Sequence, residues 1–187
     1  MGGGGTKIVS PTTEGSLWVA HPVDPDVGYN NEVWSFSLRA REWIPAQCAG
    51  RQPCPRHGHS FTRVDTNRAI LIGGAGPEDE LNDAFLFVFS SLEWIEMKLG
   101  DCLVPRFLHS TVVVDIATLG PVAFVLWGRG EDDMPPPSLA QIILIDSQKC
   151  NNVSVPDEVI PTGFQSVCSV VRRGLHFFLR YGGSDVS

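Results

Sequence analysis

The chain has 187 residues, 43% apolar and 19% charged, with a formal charge of −7. That composition excludes disordered, collagen-like and coiled-coil chains, and its acidic balance argues against a nucleic-acid binder, which turns a basic face to phosphates. The 19 Gly and 14 Pro leave little room for long helices and predict many short strands joined by turns.

Taken in chain order, Met1-Gly2-Gly3-Gly4-Gly5-Thr6 fits the pattern for N-myristoylation at Gly2. No polybasic patch supplies the second membrane signal that stable anchoring needs, so residues 1–14 read as a flexible N-terminus. A strand is predicted at 17–20. Four more follow at 59–64, at 69–72 (closed by Gly73-Gly74), at 85–89 and at 94–99. The third of these is mostly apolar and reads as buried on both faces, whereas the alternating Trp-Ile-Glu-Met-Lys-Leu of the fourth suits an outer strand. Further strands are predicted at 109–116, 122–127, 141–145, weakly at 153–155, then at 164–171 and 175–181, the last closed by Gly182-Gly183. No window carries a capped 3.6-residue apolar stripe, so almost no helix is expected.

These signals repeat. Asn31-Glu32-Val33-Trp34 returns as Asn82-Asp83-Ala84-Phe85 and Glu42-Trp43-Ile44 as Glu93-Trp94-Ile95, both displaced by 51. Pro55-Arg56-His57-Gly58-His59-Ser60 returns as Pro105-Arg106-Phe107-Leu108-His109-Ser110, displaced by 50. Independent landmarks with one period define an internal repeat. In the next unit the diglycine has become Trp127-Gly128.

The unit resembles the kelch repeat, through Gly73-Gly74, Asn82-Asp83, Trp94, and Pro105-Arg106 with His109-Ser110, in that order. The resemblance runs from about Leu17 to Gly183 and implies an all-β fold, a partial kelch-type β-propeller of four-stranded antiparallel blades. About 13 strands are expected over residues 15–187. They divide into a three-stranded first blade (17–47), two full blades (57–99 and 108–156) and the first two strands of another (164–183). That is about 3.7 units, below the ~4 to 8 blades of closed propellers, so the ring is expected to be incomplete, finished by an oligomer or by blades of a longer chain.

Each repeat residue has a structural reading. The diglycines Gly73-Gly74 and Gly182-Gly183 allow close packing. Trp43 and Trp94 are expected to be buried between neighbouring blades. Arg56 and Arg106 resemble kelch arginines that bind backbone carbonyls and loop carboxylates inside the fold, while Asn82, His59 and His109 belong to the repeat. A catalytic residue is needed once rather than once per blade. No catalytic, metal or cofactor site is therefore assigned, and no nucleophile context such as Gly-x-Ser-x-Gly occurs. The five cysteines show no CxxC pair and read as free thiols of a reducing compartment, the cytoplasm or alternatively the nucleus.

Function is expected at the loops joining second to third strands. They carry Asp24 and Asp26, then Glu78, Asp79 and Glu80, then Glu131, Asp132 and Asp133. Clustered carboxylates on one face favour encounter with a basic segment of another protein. The expected role is thus a protein-interaction module that is not an enzyme, contacts no nucleic acid directly and has no membrane span. Residues 56–60, 71–74, 80–82 and 86–87 also look like the kelch tail of tRNA wybutosine-synthesising methyltransferases, which makes a detached tail of such a protein the second expectation. A propeller fragment without function is the third.

Overall fold

The structure is a computed structural model that describes the backbone at residues 8–9, 16–20, 30–130, 140–153, 165–172 and 175–182, and side chains at 30–130 and 140–153. Among the described residues there are 15 β-strands and one short 3-10 turn, Gly100–Cys102. No helix among them is long and apolar enough to cross a membrane.

The strands form successive antiparallel sheets, each paired in chain order. The first contains β1 (Ile8–Val9), β2 (Ser16–Ala20), β3 (Val33–Ser37) and β4 (Glu42–Pro45). A two-residue strand, β5 (Ala49–Gly50), then lies parallel to the outer strand of the second sheet. That sheet consists of β6 (Ser60–Arg63), β7 (Arg68–Ile72), β8 (Ala84–Val88) and β9 (Glu93–Glu96). The third has β10 (Ser110–Ile116), β11 (Gly120–Leu126), β12 (Ala140–Leu144) and β13 (Lys149–Val153), and β14 (Gln165–Arg172) pairs with β15 (Leu175–Gly182) in the fourth. The opening strands neighbour one another, β1 beside β6, β6 beside β10 and β10 beside β14. Sheets radiating from a row of first strands are the blades of a partial β-propeller.

The strand boundaries differ from expectation in three places. Ile8–Val9 pairs with Trp18 and Val19, so the first blade has its inner strand and residues 1–14 are not uniformly a tail. Two residues are too few for an alternating pattern to stand out among glycines and threonines. The outer strand of the third blade is Lys149–Val153, not 153–155. Its residues are polar and largely exposed, and their place is set by register against β12 rather than by apolar alternation. β5 has no counterpart in the expected order. It makes a fifth strand on the outer edge of the second blade, where Gly50, at φ +79°, lies so close to the Trp94 carbonyl that a Cβ would collide with it.

Packing follows the repeat. Phe61, Leu71, Phe85, Phe87 and Trp94 form one face of the second blade and receive Val33, Ala46 and Cys48 from the first blade and the linker after it. The Trp94 indole, 1% exposed, lies 4.8 Å from the Phe87 ring and meets Phe85 edge-on. On the opposite face Ile70, Ile72, Ala84 and Met97 pack against Ala123, Val125, Ile143 and Ile145 of the third blade. At the turn end, Arg68 joins Asp65 at 2.7 Å and Asp146 of the third blade at 2.8 Å.

Trp43 departs from expectation. It occupies the same register position as Trp94, opposite Phe36 where Trp94 is opposite Phe87, yet 49% of it is exposed. Trp94 is covered by the blade before it. Among the described residues no blade covers the corresponding face of the first sheet, so Trp43 is left against Phe36 alone, 5.1 Å away.

Candidate interaction face

In each blade, strands one and three run away from the end that carries the second-to-third loop, and strands two and four run towards it. That loop and the linker to the next blade therefore share one end of the molecule. In the second blade this loop is Ala75–Leu81 and folds back on itself through backbone bonds. Gly76 N–H donates to Asp79 O at 2.9 Å and Leu81 N–H to Gly74 O at 2.8 Å, while Ala75 and His57 exchange bonds of 2.8 and 3.0 Å. Glu78 and Asp79 at its tip are exposed and Glu80 is half-buried. Asp101, exposed in the 3-10 turn between β9 and β10, adds a carboxylate at the same end that the sequence reading had not selected. Asp24, Asp26, Glu131, Asp132 and Asp133 lie outside the described residues. Glu78, Asp79 and Glu80, neighbours in the sequence, thus lie on a loop closed by backbone hydrogen bonds.

The repeat residues build the platform beneath this loop. Arg56 is fully buried at the base, where its guanidinium holds the Asp83 carboxylate with both terminal nitrogens, Nη2 at 2.8 Å. It also donates to the Gly73 and Cys54 carbonyls at 3.0 Å each and lies over the Phe85 ring. One side chain thereby ties the start of the loop at Gly73 to its end at Asp83. A fork-to-fork ion pair of this kind is both directional and strong. The partner is Asp83; its neighbour Asn82 is exposed. Asp83 was visible in the Asn-Asp landmark, but only a carboxylate can receive both guanidinium nitrogens.

Arg106 repeats part of this arrangement, donating to the Trp127 carbonyl at 3.0 Å and the Val104 carbonyl at 3.4 Å. Burial pushes its guanidinium down to about 10, which leaves it cationic at neutral pH.

The diglycine and the His-Ser landmark fit each other. Gly73 and Gly74 have φ of +54° and +109°, a region L side chains rarely adopt. A Cβ on Gly74 would stand 2.8 Å from the His57 carbonyl and 3.0 Å from the His59 Cβ. Gly128 meets His109 and Phe107 in the same way, at 2.8 Å each. Trp127 takes the place of the first glycine at φ +58°, so that position tolerates a side chain. Gly74→Ala should accordingly lower stability by about 1–3 kcal/mol. An unchanged thermal midpoint would show that the backbone there relaxes freely.

His109 reaches across to the second blade, its Nε2 2.9 Å from Ser60 Oγ, and Ser60 meets Thr111 Oγ1 at 2.7 Å. A Ser–His contact of this length invites a nucleophile reading. Both residues are buried between two inner strands, however, and the contact laces those strands together. His59, the preceding copy, is buried at the equivalent place beside Gly74. Gly182 ends β15 and Gly183 lies outside the described residues.

Comparison with known proteins agrees with this construction. A family model described as the KLHDC2/KLHL20/DRC7 Kelch-repeats domain matches residues 21–186. The chain is similar to the mouse Rab9 effector protein with kelch motifs, 27% identical over 79 residues, which is 39% of this chain and 20% of that protein. It is also similar to the rice tRNA wybutosine-synthesizing protein 2/3/4, 34% identical over 64 residues, 34% of this chain and 6% of that one. A third likeness is to the flagellar outer-arm dynein alpha chain of Chlamydomonas reinhardtii, 32% over 80 residues, 39% of this chain and 2% of that one. The chain therefore spans a fifth or less of the length of these relatives. Since the family model covers nearly all of a repeat whose arginine, histidine, glycine and tryptophan positions are built as described, the chain belongs to the Kelch-repeat family.

Proposed function

We propose that this chain is a protein-recognition module whose acidic end captures a basic segment of a partner protein. The observation that carries this reading is the ordered loop bearing Glu78, Asp79 and Glu80. Its backbone bonds and the Arg56–Asp83 clamp hold the backbone of the loop that presents these carboxylates, with Asp101 at the same end. Fixed charges of one sign steer an oppositely charged partner and raise its association rate. The kelch fold of the chain supports protein binding in general; the basic partner is the specific part of the proposal.

The test begins with a partner recovered by affinity capture and identified by mass spectrometry. Replacing Glu78, Asp79 and Glu80 by Gln, Asn and Gln should slow its association by roughly 10-fold at low ionic strength. The difference should shrink as salt shortens the screening length to about 3 Å at 1 M. An association rate indifferent to both the substitutions and the salt would remove the acidic end from recognition.

A second reading takes the chain as the kelch part of a tRNA wybutosine-synthesising methyltransferase-like protein, and the rice likeness favours it. A gene product that carries a Gly-rich cofactor motif upstream of this chain would support it. On either reading the buried Ser60–His109 contact laces two inner strands together, which supports a structural use of that pair. With this reading we propose a reducing compartment, the cytoplasm first and the nucleus second, from an odd number of cysteines with no CxxC pair in the sequence.

A further inference from the structure

The repeat breaks its own pattern at one point that neither the fold nor the acidic end requires. The residue opposite the third strand's inward-facing position is Trp43 in the first blade, Trp94 in the second and Cys150 in the third, paired with Phe36, Phe87 and Ile143. A cysteine on the preceding linker meets this position in two of the blades. Cys48 lies against Trp94, whereas Cys102, at the end of the 3-10 turn, lies against a second thiol, Cys150.

Several contacts fix this arrangement. The Cys102 carbonyl accepts a hydrogen bond from Gln141 Nε2 at 2.6 Å, and the same nitrogen donates to Asn152 Oδ1 at 2.6 Å. Gln141 and Asn152 are register partners, as are Ile143 and Cys150 two residues along the same ladder. Cys102 is thus held over the outer edge of the third blade, where the 3-10 turn packs against β13 and brings its thiol beside that of Cys150. Leu103, next in the chain, is anchored in the core cluster that also contacts Cys150. Both thiols are half-buried rather than sealed. Burial and the contact with Cys102 hold the Cys150 proton in place, up to about 12, so Cys150 is the donor of the pair; the Arg106 guanidinium favours negative charge there.

We propose that Cys102 and Cys150 are an oxidisable dithiol that closes to a disulfide, locking the linker at the acidic end of the molecule to the outer strand of the third blade. The oxidant is a low-molecular-weight disulfide. Cys102, as thiolate, bonds to one sulfur of that disulfide and expels the other as a thiolate, which is protonated from solvent. Capping Cys102 ends the thiol–thiol contact that helps hold the Cys150 proton. Cys150 releases that proton to solvent and attacks Cys102 Sγ, and the mixed disulfide breaks to release the second small thiol, protonated from solvent. Two electrons leave the protein pair and reduce one small disulfide to two thiols. Such bonds in a reducing compartment are transient and redox-sensing, and exchange needs two sulfurs within direct reach of each other.

The test is incubation of the reduced chain with glutathione disulfide, followed by alkylation and peptide mapping without reductant. The expected product is a peptide pair joined through Cys102 and Cys150 with the loss of two hydrogens. Fragmentation between Cys150 and Cys168 assigns the bond, and the same link should persist in Cys168→Ser. In Cys150→Ala the product should instead be a mixed disulfide that accumulates at Cys102. If Cys102 and Cys150 are both recovered alkylated, or if either is joined to Cys48, Cys54 or Cys168, the proposal is overturned. Mapping of the unmodified chain decides the matter even where a variant fails to fold.

Discussion

Asp83→Ala should destabilise the chain by about 3–5 kcal/mol, because it strands a buried guanidinium without its counter-charge. Arg56 is 0% exposed and would keep only the neutral Gly73 and Cys54 carbonyls as oxygen acceptors. The reverse change should be milder. In Arg56→Met the remaining carboxylate is 30% exposed and can be hydrated in place, while the methionine stem still covers Phe85. A cost of about 1–3 kcal/mol is expected there, from unsatisfied buried partners such as the Gly73 carbonyl. Urea unfolding of the two variants measures both. Equal costs would mean that the ion pair, and not the burial of one partner, sets the energy. Against a total stability of about 5–15 kcal/mol for such a domain, the first variant removes a large share. It also frees the end of the acidic loop, so weakened partner capture should accompany it.

Trp94→Ala should cost about 3–5 kcal/mol, the range for a large aromatic removed from a packed core. Trp94 joins two blades, touching Phe61, Phe85 and Phe87 on its own sheet and lying in one cluster with Val33, Ala46 and Cys48 from the blade and linker before it. Trp43→Ala, at the same place in the repeat, should cost only about 0.5–1.5 kcal/mol, the worth of one aromatic pair. Thermal or chemical unfolding of the two variants side by side tests the difference. Comparable losses would show that Trp43 is covered in solution by something absent from the described residues.

The repeat itself was legible because its landmarks are chemically rare and evenly spaced. A Pro-Arg, a His-Ser and a Glu-Trp-Ile at one period, with a diglycine closing a strand between them, leave few architectures open. The strands of the second blade lie within about three residues of where alternation placed them, since one face of each packs on a neighbour. β13 was misplaced by four residues at its start for the opposite reason: as an exposed polar edge, it is positioned by hydrogen-bond register and carries no apolar rhythm. Of the candidate site, the carboxylates of one loop were legible as charge, but Asp83 and Asp101 were not singled out. The role of Asp83 depends on a guanidinium 27 residues earlier, and that of Asp101 on the direction in which β9 runs.

Period, blade type and strand order thus follow from the residues alone, because they rest on local alternation and on glycine and proline chemistry that acts within a few residues. Pairings between blades do not. Which tryptophan is buried, which carboxylate meets Arg56 and which thiol faces Cys150 are settled by side chains 27 to 61 residues apart along the chain. Trp43 and Trp94 sit in near-identical Glu-Trp-Ile contexts and differ only in what stands across from them. Burial is a property of both surfaces, and a single copy of a repeat specifies just one.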